Sequence, residues 1–302
     1  MNKKIIKALT HPRYACLLLL HRLAPLIKDD EKYVKWNFYL AMGKKLNLEN
    51  PQTFNEKLQW LKLYDRRPEY TKLVDKYEVK QYIKEKLGEK YVIPTLGVWD
   101  TFDEIDFSTL PNQFVLKCTH DSGGLVICKD KSTLDVAAAR KKINRCLKRN
   151  YYYGTREYPY KEVKPRIIAE KFMVDESGVE LKDYKFFCFN GDPRFLFVAT
   201  DRQKDGEETK FDFFDTKWKH LPFTNGHPNN PEEPSKPENL EEMLRISKLL
   251  SQEIPHVRVD LYDINGKIYF GELTFFHWSG LIPFNPETWD EKFGEMISLP
   301  IN

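Results

Sequence analysis

Three carboxylates and a guanidinium crowd one short stretch near the end of the chain, Arg258-Val-Asp-Leu-Tyr-Asp-Ile-Asn-Gly-Lys-Ile-Tyr-Phe-Gly-Glu-Leu-Thr274, and two of the acids, Asp260 and Glu272, could share a face. The pattern reads as a β-hairpin. Alternation sends Arg258 and Asp260 to one side of the first strand and Val259 and Leu261 to the other; Glu272 and Thr274 share a side of the return strand. The turn decides whether the two sets meet. A two-residue Asn265-Gly266 turn pairs residues whose numbers sum to an odd value and separates Asp260 from Glu272. A three-residue loop with Gly266 in a left-handed position pairs even sums and gathers Arg258, Asp260, Glu272 and Thr274, and this loop is the expectation. Two carboxylates that close repel unless a cation lies between them. A pair of hard oxygen ligands completed by phosphate oxygens suits Mg²⁺, with Mn²⁺ as the alternative. A solvated, charged hairpin is the bland reading of the same residues.

A second group could hold the phosphates. Lys117 ends the apolar run Phe114-Val-Leu-Lys117 and precedes the loop Thr119-His-Asp-Ser-Gly-Gly124. A loop ending in Gly123 and Gly124 offers backbone N–H groups and close approach, and the lysine adds a point charge. The spacing is not that of a Walker A loop, and a plain Gly-Gly hairpin turn is the competing reading. Lys76, after Asp75, reads on its own as a surface lysine.

The elements that must position these residues alternate between helix and strand. Residues 1–110 read as mainly helical. Thr53 and Glu56 form a capping box ahead of the stripe Leu58, Leu61 and Tyr64. A second helix is expected over about Thr71–Leu87, stopped by Gly88. Tyr91–Trp99 reads as an edge or irregular strand because of Pro94. Strands follow at 114–118, 125–128 and 166–173, with a helix over about 132–149. A hairpin over 183–200 turns at Asn190-Gly191. Pro222, Pro228, Pro231, Pro234 and Pro237 mark an exposed loop long enough for a lid, and a helix over 240–254 leads into the carboxylate hairpin. Hairpins among helices indicate an α+β fold with a substantial antiparallel sheet.

Composition sets the bounds. The chain has 302 residues, 48 basic against 45 acidic groups and a net charge of +3, so nothing global points to nucleic acid. Hydrophobic residues make up 41% and aromatics 14%, as in a globular protein. Five cysteines without a CxxC pair read as reduced thiols of a cytoplasmic protein, not as a zinc site. Cys16–Leu20 is too short to span a membrane; it is either a packed helix or one that lies on a membrane surface. Tyr151, Tyr152 and Tyr153 are either core or a sugar-stacking surface, and Trp36, Trp60 and Trp99 are most simply core. The run Arg140-Lys141-Lys142 with Arg145, Lys148 and Arg149 reads as a solvated helix face.

In order and spacing these pieces resemble the ATP-grasp superfamily, and within it the TupA-like branch. The match runs from Asn50-Pro-Gln-Thr-Phe-Asn-Glu-Lys57 through Asp75-Lys76, Lys117 with its loop, Ile167-Ile-Ala-Glu-Lys-Phe172 and Asp183-Tyr-Lys-Phe-Phe-Cys-Phe-Asn-Gly191 to Arg258-Val-Asp260 and Phe270-Gly-Glu-Leu-Thr274. The resemblance implies two α+β lobes clasping ATP, a small lobe over 111–172 and a large lobe over 173–302. It implies that Lys76 and Lys117 contact the phosphates under the loop His120, Ser122, Gly123 and Gly124. Glu170, Lys171 and Phe172 would be the hinge strand that reads adenine through its backbone. Asp183 would hold the ribose, with Lys185 reaching the site. Asp260 and Glu272 would bind Mg²⁺, and Arg258, with Lys117 among the catalytic groups, would stabilise the transferring phosphoryl group. Thr274 stands where many ATP-grasp enzymes carry Asn, and a hydroxyl is the poorer metal ligand. The implied chemistry is a carboxylate–amine ligase acting through an acyl phosphate. The branch is associated with bacterial surface polysaccharide synthesis, so the implied partners are a uronic-acid glycan, or its lipid-linked precursor, and an amino acid, at the inner face of the membrane. A glycosyltransferase, a sugar phosphotransferase using the same ATP site and an inactive binding module are the competing readings. The chain has no Asp-x-Asp motif to favour the first.

Overall fold

A computed structural model of the chain describes residues 10–174, 181–201 and 208–300. Five helices come first: α1 (Pro12–Leu23), α2 (Asp30–Met42), α3 (Phe54–Tyr64), α4 (Glu69–Val74) and α5 (Glu78–Lys86). The Thr53–Glu56 capping box opens α3 as expected. The single helix expected over 71–87 is instead two. Asp75 leaves the helical region and its carboxylate accepts from the N–H groups of Tyr77 and Glu78, at 2.8 and 3.3 Å. The N–H of Lys76 donates outward to Thr119 O at 3.1 Å. The break thereby ties Lys76 to the loop that follows Lys117.

The first sheet is built from β1 (Thr95–Trp99), β2 (Phe114–Cys118), β3 (Leu125–Cys128) and β4 (Ile167–Lys171), in the order β1-β4-β2-β3 and antiparallel throughout. It recruits β1 from ahead of residue 110. Helices α6 (Val136–Leu147) and α7 (Tyr151–Thr155) lie between β3 and β4, and Ala139, Ile143 and Cys146 of α6 pack on Phe114, Leu116 and Ile167.

The second sheet carries β5 (Asp183–Phe189), β6 (Asp192–Thr200), β7 (Lys210–Asp215), then, after the two-residue β8 (Thr224–Asn225) and helix α8 (Leu240–Leu250), β9 (His256–Ile264) and β10 (Lys267–Thr274). Its order is β10-β9-β5-β6-β7, again antiparallel. Every residue of β5 is buried, because the sheet is covered on both faces. Met243, Ile246 and Leu250 of α8 share one core with Phe54, Leu58 and Leu61 of α3 and the phenylalanines of β5 and β6. The short β11 (Phe284–Asn285) pairs with β8, and α9 (Thr288–Glu295) closes the described chain. The proline-rich 222–239 segment folds onto this body: Phe223 and Asn225 are buried and Trp218 donates to Pro234 O at 3.3 Å. No helix among the described residues is long and apolar enough to cross a membrane.

Candidate active site

The carboxylates meet, by a different route from the expected one. The β9–β10 turn is the two-residue Asn265-Gly266, both left-handed at φ 52° and 76°. Lys267 to Phe270 pair with Ile264 to Leu261 at odd sums. A bulge at Gly271 then moves the ladder by one residue, so Glu272 faces Asp260 and Thr274 faces Arg258. A Cβ at Gly271 would stand 3.0 Å from Asp260 O, so the extra residue has to be small. The three-residue loop is thus corrected: glycine in the strand, not the turn, sets the register that brings the acids together.

Arg258 organises this end. Its Nε and Nη2 grip the two Asp260 oxygens at 2.7 Å each, and Nη2 reaches Thr274 Oγ1 at 3.0 Å and Glu272 Oε1 at 3.4 Å. Nη1 donates to His277 Nδ1 at 2.7 Å. His277 therefore carries its proton on Nε2, which donates to Asn225 Oδ1 at 2.9 Å. The amide orientation of Asn225 is fixed in turn by its Nδ2, which donates to Ile282 O and Pro283 O. Burial, and then the Arg258 charge, hold His277 far below the usual imidazole range, so it is a neutral acceptor. Lys185 pairs with Asp260 and, at 3.2 Å, with Asp183. Burial pushes Lys185 below the usual lysine range, against the pull of Asp260. Asp260 lies below the usual carboxylate range: burial pushes it up, but Arg258 and Lys185 outweigh that. Thr274 Oγ1 braces Arg258 here.

Lys117 and the loop after it face this row across a cleft between the sheets, lined by Lys76, Lys117, Ser122, Gly124, Glu170, Asp183, Lys185 and Glu272. Lys76 Nζ donates to Asp121 O at 3.0 Å, inside the loop. Gly124 is required by close approach, since a Cβ there would lie 2.4 Å from Cys118 Sγ. Lys117 Nζ pairs with Glu170 at 2.6 Å, and Lys80 Nζ reaches the other carboxylate oxygen at 2.5 Å. Burial alone would raise Glu170, but the two ammonium groups bring it down to about 2.

Two expected site residues are held by other contacts. His120 is buried against α6, with its Nε2 at 3.2 Å from Cys146 O, because packing claims the ring. The Lys171 N–H is spent on Pro94 O at 3.0 Å, and Phe172 lies just past the end of β4. Gly123 sits between Ser122 and Gly124, which line the cleft. Lys80 and Asn225 were not expected. Lys80 lies four residues after Lys76, but Lys84 repeats the same spacing, and nothing in the proline-rich segment marks Asn225. A larger cavity of about 1050 Å³ lies between α5 and β1 and shares Lys80, Val92 and Ile93 with the cleft, but of the two only the cleft is lined by Glu272.

The donor set fits a hard divalent cation. Two carboxylates stand side by side on one ladder rung, and among the described residues no group of three or more His, Cys, Asp or Glu forms a complete metal cage. Such a pair needs phosphate oxygens and water to finish the shell, as Mg²⁺ does.

Antiparallel sheets of two α+β lobes facing each other across such a cleft are the ATP-grasp arrangement, and that is the class of this protein. A TupA-like ATPgrasp family model matches residues 56–298, and the chain belongs to the TupA-like ATP-grasp family. Among solved structures it is similar to D-alanine–D-alanine ligase from Bacillus anthracis in complex with ATP, at 13% identity and a TM-score of 0.43 over 74% of this chain and 58% of that one. The Helicobacter pylori D-alanine–D-alanine ligase gives 17% and 0.42 over 81% and 69%, and a RimK domain ATP-grasp protein from Sphaerobacter thermophilus 9% and 0.42 over 76% and 69%. The chain thus spans under three fifths of the first of these. No curated protein matches it.

Proposed function

We propose that this protein is an ATP- and Mg²⁺-dependent carboxylate–amine ligase that joins an amino acid to a uronic acid of a bacterial surface polysaccharide or its lipid-linked precursor, in the cytoplasm. The observation that carries the reading is the Asp260–Glu272 rung, held on one face with Lys185 and Arg258 and set across the cleft from Lys117. A substrate carboxylate oxygen attacks the γ-phosphorus of ATP, and ADP leaves. The neutral amine nitrogen then attacks the acyl carbon: the C–N bond forms, the C–O bond breaks with its electron pair leaving on phosphate, and the nitrogen gives its extra proton to the departing phosphate. Lys76 and Lys117 hold the phosphates, and the Ser122–Gly124 loop covers them. Lys117 gives up Glu170 for a phosphate oxygen, and Lys80 keeps that carboxylate paired. Arg258, aimed by His277, supplies a fixed positive charge where negative charge develops. Mg²⁺, when bound, would be held by Asp260 and Glu272 and would neutralise phosphate charge as a Lewis acid.

The test is ADP release from ATP and Mg²⁺ with glucuronic or galacturonic acid and a pool of amino acids, beside Glu272→Gln. Release that needs both substrates and disappears in the variant, with the fold intact, supports the reading. Turnover unchanged in Glu272→Gln sinks the site assignment. A phosphoester product in place of an amide would make the protein a sugar phosphotransferase, and heat protection by UDP-sugars but not by ATP with Mg²⁺ a glycosyltransferase.

A further inference from the structure

The turn that follows β10 holds an unusual run. Trp278, Ser279 and Gly280 all have positive φ, at 49°, 57° and 61°, a region that L-residues avoid. Helix α3 holds the run in place: Lys62 Nζ donates to Ser279 O and Oγ at 2.7 and 2.8 Å, and Gln59 Nε2 donates to Ser279 O and Gly280 O at 3.0 and 2.8 Å. The consequence is a sharp division of side chains. His277 and Ser279 are buried, while the Trp278 indole between them is 40% exposed. It is the only exposed large hydrophobic side chain among the described residues of the large lobe.

The indole is fixed from below. Phe211 stacks at 6.1 Å and 23°, and Gly226, at φ 80°, passes so close that a Cβ would meet Trp278 Nε1 at 2.9 Å. Phe211 pairs with Ala199 and Ala199 with Asp183, so the ring stands on the face of the sheet that carries Asp183, Lys185 and Asp260. Two strand spacings separate Asp183 from Phe211, about 10 Å, the span of one or two sugar rings. Trp278 also directly follows His277, which aims Arg258. At its edge lies the His227 ring, 5.8 Å away, whose Nδ1 is buried without a hydrogen-bond partner.

We propose that Trp278, with His227 at its edge, is the platform on which a pyranose ring of the acceptor stacks beside Arg258. A pyranose presents an apolar C–H face and a polar rim of hydroxyls, which suits one isolated aromatic face set on the same side of the sheet as the charged groups Asp183 and Lys185. A lipid surface or a protein partner would need a contiguous apolar patch, and this indole has no exposed apolar neighbour in its lobe. Calling the sugar the acceptor rests on the ligase reading; the binding of the sugar does not.

The experiment is calorimetric and fluorescence titration of the full chain, with ATP and Mg²⁺ present, using glucuronic acid, galacturonic acid and their methyl glycosides and trimers as probes. The wild type should bind at least one uronide with a saturable change in tryptophan emission. Trp278→Leu, which keeps bulk without a ring, should weaken binding at least tenfold, and Trp278→Tyr should retain it within a few-fold. Circular dichroism checks that both variants fold. Equal affinity in the wild type and Trp278→Leu overturns the platform, as does absence of binding to every uronide. Uronide binding that depends on Trp278, in a protein that ATP and Mg²⁺ fail to protect against heat, would leave the platform standing and overturn the ligase reading.

Discussion

Glu170→Gln tests the ion-pair account of the cleft most directly. The Glu170 carboxylate is buried between Lys80 and Lys117, which bring it from an ordinary 4.5 to about 2. At roughly 1.4 kcal/mol per pH unit that gap is worth about 3 kcal/mol. The folded value is depressed, so this stability is present above pH 4.5 and lost as pH falls toward 2. Urea unfolding at pH 7 should place the variant about 3 kcal/mol below the wild type, in the range for breaking a buried pair. By pH 3 the difference should shrink to about 1.4 kcal/mol, because Glu170 of the unfolded chain then takes up a proton while the folded carboxylate stays ionised. A gap that stays constant from pH 7 to pH 3 would refute the electrostatic reasoning and leave packing as the cause. The same variant separates structure from binding. Gln keeps the backbone of β4 and releases Lys117, so protection by ATP and Mg²⁺ should survive in Glu170→Gln and be lost in Lys117→Met.

Removing the imidazole that aims Arg258, in His277→Ala, should lower kcat by about 100-fold with the KM for ATP within about two-fold, as expected when a charge at the reacting centre is misplaced; steady-state kinetics in both ATP and acid decide it, and a change confined to KM contradicts the positioning role. Gly124→Ala should cost about 1–3 kcal/mol by overpacking against Cys118 and Cys146 and should abolish heat protection by ATP and Mg²⁺, read in one thermal scan with and without nucleotide. Burial pushes Glu157 up to about 7, against Lys62, which burial brings down to about 8. The raised carboxyl contributes stability below pH 4.5 that is lost as pH rises through 7, so the wild type should lose Tm relative to Glu157→Gln between pH 5 and pH 8. A pH-independent offset between them would be the wrong outcome.

Why part of this site could be read from sequence, and part could not, follows from how far each signal travels along the chain. Alternation is local, so the faces of β9 and β10 were readable, as were Lys117 with its glycine loop and the Thr53 capping box. The turn chemistry of Asn265-Gly266 also spoke plainly for two residues. What hid the register was Gly271, because a glycine within a strand reads equally as a weak strand position, a bulge or a close approach. The helix break at Asp75 is capped locally by its own carboxylate and secured by Thr119, more than forty residues away; an aspartate within a helical pattern does not by itself say which of the two states wins. Trp36, expected in the core, is 52% exposed on α2, since one aromatic on an amphipathic helix says little about which stripe finds a partner. His120 shows the converse. Loop composition placed it with the phosphates, and α6 took the ring. The 222–239 segment was expected to be an exposed lid for its prolines, yet it delivers Asn225 to His277, and through it fixes Arg258. Local pattern thus named the charged groups that could do chemistry. The groups that hold them still, His277, Asn225 and Lys80, are set by tertiary contact, which is why their substitution should alter rate or register rather than abolish a motif.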